Sequence, residues 1–89
     1  METSGFFMRY FVYIIYSETF DKFYIGQTND ITDRLRRHNS GFENATAPYL
    51  PWQLLWHTEK LSRAETMALE KKLKNLSKDR IRQFIQKYS

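Results

Sequence analysis

The sequence contains no cysteine, which removes thiol nucleophiles, thiolate metal sites and disulfide bracing together. That absence suits a reducing compartment, and the cytoplasm is the expected location. Proline is limited to two residues and glycine to three. No flexible or Pro-rich linker divides the chain, so residues 1–89 are expected to form one domain of modest core. Long apolar runs are missing too. The stretch from Phe6 to Tyr16 is broken by Arg9 and is too short to span a bilayer, and Met1 to Gly5 has no basic character. Neither a signal peptide nor a membrane anchor is expected, and with them goes any membrane partner.

What the sequence does hold is apolar and aromatic material, 42% and 17% of its 89 residues. That is enough to offset the ordering entropy of a short chain. Lys and Arg number 14 against 10 Asp and Glu, and the excess is uneven. Residues 71–89 carry Lys71, Lys72, Lys74, Lys78, Arg80, Arg82 and Lys87 against Asp79 alone. One end of the molecule is therefore strongly positive, as a polyanionic partner would require, although a solvated helix face has the same composition.

From Tyr10 to Tyr16 every residue is β-branched or aromatic, the pattern of a strand buried on both faces. Turn residues follow from Ser17 to Lys22. Phe23-Tyr24-Ile25-Gly26 then resumes the β pattern, predicting an antiparallel hairpin. Asn29 is placed to cap a helix whose first turn carries Asp30 and Asp33, with Ile31, Leu35 and His38 at helical spacing and an end near Asn39-Ser40-Gly41. After a polar loop, the run from Pro51 to His57 reads as a third strand. Ser62-Arg63-Ala64-Glu65 has the form of a capping box before the apolar stripe Met67, Ala68, Leu69, Leu73 and Leu76. Ser77 opens a last helix with Ile81, Phe84, Ile85 and Tyr88 on one side. The order β-β-α-β-α-α places the chain in the α+β class: a three-stranded antiparallel sheet flanked by helices.

Within that order stand Phe11-Val12-Tyr13, then Tyr24-Ile25-Gly26 with its tyrosine eleven positions after Tyr13, then Arg34 and His38 on the first helix, then Glu70 on the long helix. Together these residues resemble the GIY-YIG nuclease superfamily in its short single-domain form, similar to the amino-terminal domain of the excision-repair excinucleases, over roughly residues 9–86. Two departures stand out. Phe11 occupies the glycine position of the first tripeptide, and Asn75, five positions past Glu70, is out of line with the asparagine found after the glutamate in many members.

The resemblance implies phosphodiester hydrolysis dependent on Mg²⁺ or Mn²⁺, as in excision-repair nucleases, homing endonucleases and some restriction enzymes. It makes a DNA endonuclease the leading expectation, acting on branched, flapped or damaged structures in repair or recombination, with RNA left open as the nucleic acid. A non-catalytic nucleic-acid-binding module of the same fold is the alternative. Hydrolysis requires an aligned water, neutralisation of the phosphate charge and assistance to the departing alkoxide. By the resemblance, Glu70 is the metal ligand, since a hard cation that keeps several waters needs only one or two carboxylates. An ordinary glutamate paired with Lys74 one turn on is the bland reading.

The same resemblance makes Tyr13 the candidate acceptor of a proton from the attacking water. A tyrosine of ordinary pKa, about 10, needs nearby positive charge for that role. Tyr24 would orient water or phosphate beside it. Arg34 would clamp a phosphate with its planar fork, and His38 would share that contact or assist proton transfer. For the tyrosines the competing reading is core packing with hydrogen-bonded phenols, and for His38 a half-buried position on the apolar helix face. Gly26 suits either close backbone approach or a plain turn.

Arg36, Arg37, Arg63, Lys71, Lys74 and Lys78 are expected to track a phosphate backbone, giving salt-dependent binding. Trp52, Trp56 and Tyr49 have faces on which bases can stack, but core packing is the stronger reading for the tryptophans. The chain has no room for a separate targeting domain, so a protein partner is a further expectation.

Overall fold

The computed structural model describes residues 8–89. The expectations for Met1 to Gly5, and for the start of the apolar run at Phe6, lie outside them. The elements are β1 (Tyr10–Ser17), β2 (Lys22–Thr28), α1 (Ile31–Asn39), a short 3₁₀ turn (Ala47–Tyr49), β3 (Gln53–Lys60), α2 (Arg63–Lys74) and α3 (Lys78–Tyr88). This is the expected β-β-α-β-α-α order of an α+β domain. The sheet is fully antiparallel with strand order β2-β1-β3. No helix among the described residues is long and apolar enough to cross a membrane.

Central β1 is buried on both faces because its side chains alternate between two cores. Val12 and Ile14 join Ile25, Leu73 and Ile81 on one face, where Phe84 and Ile85 of α3 also pack. Tyr13 and Ile15 join Trp52 on the other, with Ile31 and Leu35 of α1 against them. The sheet is therefore a three-stranded layer between α1 on one side and α2 and α3 on the other.

Helix starts follow the side chains available. Asp30, one residue later than expected from Asn29, caps α1 by accepting from the Asp33 amide at 3.0 Å. Its carboxylate also suits the positive end of the helix dipole. Ser62 caps α2 through the Glu65 amide at 3.2 Å. Glu65 reaches back one residue further than in a regular capping box, accepting from the Leu61 amide at 3.3 Å. Ser77 caps α3. That last helix is tethered to the β1–β2 turn by Asp21, which accepts from Tyr16 Oη at 2.7 Å, Lys78 Nζ at 3.3 Å and Arg82 at 2.5 Å.

One irregularity was not foreseen. Between Ile14 and Ile15 the pairing with β3 slips, so Ile14 faces Trp56 and Ile15 faces Leu54, leaving Leu55 as the extra residue of a bulge. Because the side-chain period of a strand is two, the insertion sends Leu54 to the Tyr13 face and Trp56 to the Leu73 face. Trp52 lies just before the strand and is buried, and Trp56 packs edge-on against Phe84 with ring centroids 4.9 Å apart. Both tryptophans belong to cores, as the packing reading held.

Candidate active site

The hairpin register determines what lies beside Tyr13. Counting outward from the Ser17–Lys22 pair, Tyr13 faces Gly26, Ile15 faces Tyr24 and Val12 faces Gln27. Tyr13, Gly26 and Tyr24 thus share one face of the sheet, with Tyr24 diagonal to Tyr13 rather than opposite it. Gly26 is required by contact, not by dihedral angle. A Cβ there would fall 2.6 Å from Tyr13 Cζ, and closer still to the phenolic oxygen. The missing side chain is the slot in which the phenol lies, which decides the glycine question in favour of close approach.

The phenol ends against His38. Tyr13 Oη is 2.7 Å from His38 Nε2, and His38 Nδ1 is 2.8 Å from Thr46 Oγ1. Tyr13, His38 and Thr46 are all buried. Burial pushes His38 below the ordinary histidine value, and Arg34 and Arg37 push the same way against an opposing Glu43. The imidazole is consequently neutral at pH 7. Burial, followed by the neighbouring Tyr24, pushes the Tyr13 phenol well above the usual tyrosine range, while Arg34 opposes them. One assignment satisfies every group: Tyr13 donates to Nε2, the Nδ1 proton goes to Thr46, and Thr46 donates to the Glu43 carbonyl at 3.4 Å. The Thr46 loop is held in place by Trp52, whose indole donates to the Thr46 carbonyl at 2.9 Å. It is also held by Asn39, whose amide pairs with the Trp52 backbone in both directions.

Glu70 approaches from the opposite face. It lies on α2, with Leu73 one turn on anchored in the core, and its side chain is only 15% exposed. Its Oε1 accepts from Gln27 Nε2 at 2.6 Å and its Oε2 pairs with Lys74 Nζ at 2.9 Å. The predicted pairing with Lys74 is therefore present. The Glu70 charge is close enough to raise the Tyr13 pKa, and Tyr24 close enough to raise that of Lys74. Such reach between faces is possible because β2 is an edge strand, around which groups from both layers can meet.

Gln27 joins two adjoining depressions. One, of about 590 Å³, is lined by Gln27, Glu70, Lys71, Lys74 and Asn75. The other, of about 430 Å³, brings Arg34 and Arg63 together with Arg9 and Gln27. Arg34 is half-buried, and its side chain makes no hydrogen bond or ion pair to the described residues, leaving its guanidinium fork available. Other predicted cations are engaged: Arg36 with Asp33 at 2.6 Å, Arg37 with Glu43 at 3.4 Å and Lys78 with Asp21. These pairs are at the surface and exchange readily. Asn75 caps α2 and donates to the Lys71 carbonyl.

No group of three or more His, Asp or Glu side chains is arranged to cage a metal among the described residues. The donor set is one carboxylate, with the Gln27 carboxamide beside it. That set fits a hard cation that retains most of its waters and takes a further oxygen from a phosphate. Sequence reasoning missed Gln27 and Thr46. Gln27 was detectable from the hairpin, because counting pairs from a four-residue turn puts it on the α2 face. Thr46, in an irregular loop, left no periodic signal.

The family model of the GIY-YIG catalytic domain matches residues 9–88. Among solved structures, the solution NMR structure of a UPF0213 protein from Bacillus halodurans is similar. It has a TM-score of 0.60 and 28% identity, over 91% of this chain and 86% of that one. No curated protein matches significantly.

Proposed function

Because the chain belongs to the GIY-YIG family, we propose that it is a metal-dependent endonuclease that hydrolyses DNA phosphodiester bonds at the β2 edge. The observation that carries this reading is the Tyr13 phenol, seated over Gly26 and hydrogen-bonded to a neutral His38, with the Arg34 guanidinium, which pairs with none of the described residues, close by. A buried phenol with a raised pKa is a poor base if it must first ionise. The bond to His38 removes that requirement. As Tyr13 accepts a proton from the attacking water, it passes its own proton to His38 Nε2. The resulting imidazolium keeps its Nδ1 proton on Thr46, and the Glu43 charge partly offsets the burial that disfavours it.

Arg34 then binds non-bridging phosphate oxygens and offsets the charge that accumulates on them. Tyr24, its ring edge-on to His38 at 5.1 Å, shields the imidazole on one side and offers a hydroxyl to water or phosphate. Glu70 would hold Mg²⁺ or Mn²⁺, which supplies charge neutralisation at the phosphate and the leaving oxygen. Arg63 and Lys71 flank these groups and extend the positive surface along which a strand can lie.

Cleavage of end-labelled single-stranded, duplex, flap and branched DNA with Mg²⁺ or Mn²⁺ tests this. Wild type is expected to cut at least one substrate. Tyr13→Phe and Glu70→Ala are each expected to lose about a hundredfold or more in rate while still binding DNA. A second reading, a binding module without turnover, is favoured by one feature: both Glu70 oxygens already have protein partners. Salt-dependent binding by all three proteins, with cleavage by none, would replace the first reading with the second.

A further inference from the structure

The pairing of Glu70 with Lys74 has a second side. Glu70 is largely buried and held at Oε1 by Gln27, whereas the Lys74 side chain is 53% exposed. The carboxylate is thus fixed and the ammonium is free to leave. Lys74 also stands between two depressions. One is the Gln27 and Glu70 depression. The other runs along the outside of β2 and is lined by Lys22, Tyr24 and Lys78 as well as Lys74, with no carboxylate in its lining. Lys22 rests over the Tyr49 ring at 4.6 Å, and Lys78 is half-exposed at the turn. A phosphate in that second depression would lie among three lysine side chains, of which Lys78 also pairs with Asp21.

We infer that Lys74 is an exchanging cation. Without ligand it occupies the carboxylate that a metal ion would take, and when a nucleic-acid phosphate enters the Lys22, Tyr24 and Lys78 depression it moves there and releases Glu70. The inference rests on the reading of Glu70 as the metal ligand. Two consequences follow from charge alone. In the free protein the ammonium and a divalent cation compete for one carboxylate, so the protein alone binds metal weakly. Phosphate binding and metal binding then assist each other, and by linkage each raises the affinity for the other by the same factor. In both states the Glu70 carboxylate has a cationic partner, Lys74 or the metal ion.

Mn²⁺ binding to the DNA-free protein, followed by the electron paramagnetic resonance signal of free Mn²⁺, provides the test, with folding of each variant checked by circular dichroism. Lys74→Gln and Lys74→Met should bind Mn²⁺ roughly three- to tenfold more tightly than wild type. The double variant Glu70→Gln with Lys74→Gln should lose that site. In EDTA, Lys74→Gln should bind a short duplex more weakly and with a shallower salt dependence than wild type. If Glu70→Gln lowers Mn²⁺ affinity but Lys74→Gln leaves it unchanged or weaker, the exchange is overturned and the metal reading stands. If Glu70→Gln binds Mn²⁺ as wild type does, or none of the proteins binds it, the metal reading fails and the exchange fails with it.

Discussion

The two faces of the sheet handle polar groups in opposite ways. On the α1 face Tyr13, His38 and Thr46 form a closed chain of neutral hydrogen bonds, every member buried. On the α2 face Glu70 is satisfied by charge, through a Gln27 amide and a Lys74 ammonium that faces water. Buried neutral networks depend on each partner, because losing one strands the next in a medium that cannot solvate it. An ion pair at the boundary is forgiving, because water and salt replace what is lost. The first arrangement suits a group that must stay in one geometry. The second suits a group that must change partners.

The contrast is broken or sharpened first at His38. His38→Ala leaves a cavity, strands the Tyr13 hydroxyl and removes one of the two partners of Thr46 Oγ1, and is expected to cost about 3 kcal/mol of unfolding free energy. Lys74→Gln, at the exposed end of the other site, is expected to cost less than about 1 kcal/mol. Urea denaturation measures both. Equal losses would mean that the two faces do not differ as described.

Gly26 gives the next largest effect. An added Cβ collides with the Tyr13 ring, which has no room to retreat while its hydroxyl is held by His38. Gly26→Ala should cost about 2 kcal/mol, within the usual range for overpacking, and should reduce DNA cleavage by displacing the phenol. Combining it with Tyr13→Val should restore part of the stability and none of the activity. If Gly26→Ala alone matches wild type in its denaturation midpoint, the slot does not hold the phenol.

Much of this was legible before any coordinates. β1 declared itself through an unbroken run of β-branched and aromatic residues, and α2 and α3 through their Ser caps. The set Tyr13, Tyr24, Arg34, His38 and Glu70 came from the family resemblance. The structure gathers Tyr13, Tyr24 and Arg34 around His38 and brings Glu70 to the same edge from behind. What could not be read was whatever depends on register and tertiary approach. The bulge at Leu55 separates Leu54 from Trp56, although they alternate regularly in the sequence. His38 looked equally like a core residue and a site residue; the structure buries it against Tyr13 and Thr46, and that burial is what lowers its pKa. The cap of α1 moved from Asn29 to Asp30 because either side chain can cap and only the local backbone selects between them.

A smaller effect is expected at Tyr13 itself. Tyr13→Phe keeps the ring in the Gly26 slot and removes only the hydroxyl, leaving His38 Nε2 without a donor. The stability loss should be about 1 kcal/mol, well below that of His38→Ala. The ratio of the two losses is informative, since a network that acts as a unit responds less to losing its end than its middle.

The smallest effect is on pH dependence, and it arises on the α1 face. His38 has a folded-state pKa below its ordinary value of 6.5, mainly because burial disfavours the imidazolium. In the window between the two values the unfolded chain binds more protons than the folded one. Stability therefore rises with pH there. The contribution is complete above about 6.5 and is lost as pH falls through the folded-state value. Denaturation midpoints measured from pH 7.5 down to 5 should decline for wild type and decline less for a His38→Gln variant, whose amide does not titrate. A slope that survives His38→Gln would assign the loss to another group and remove the support for a neutral His38 as the partner of Tyr13.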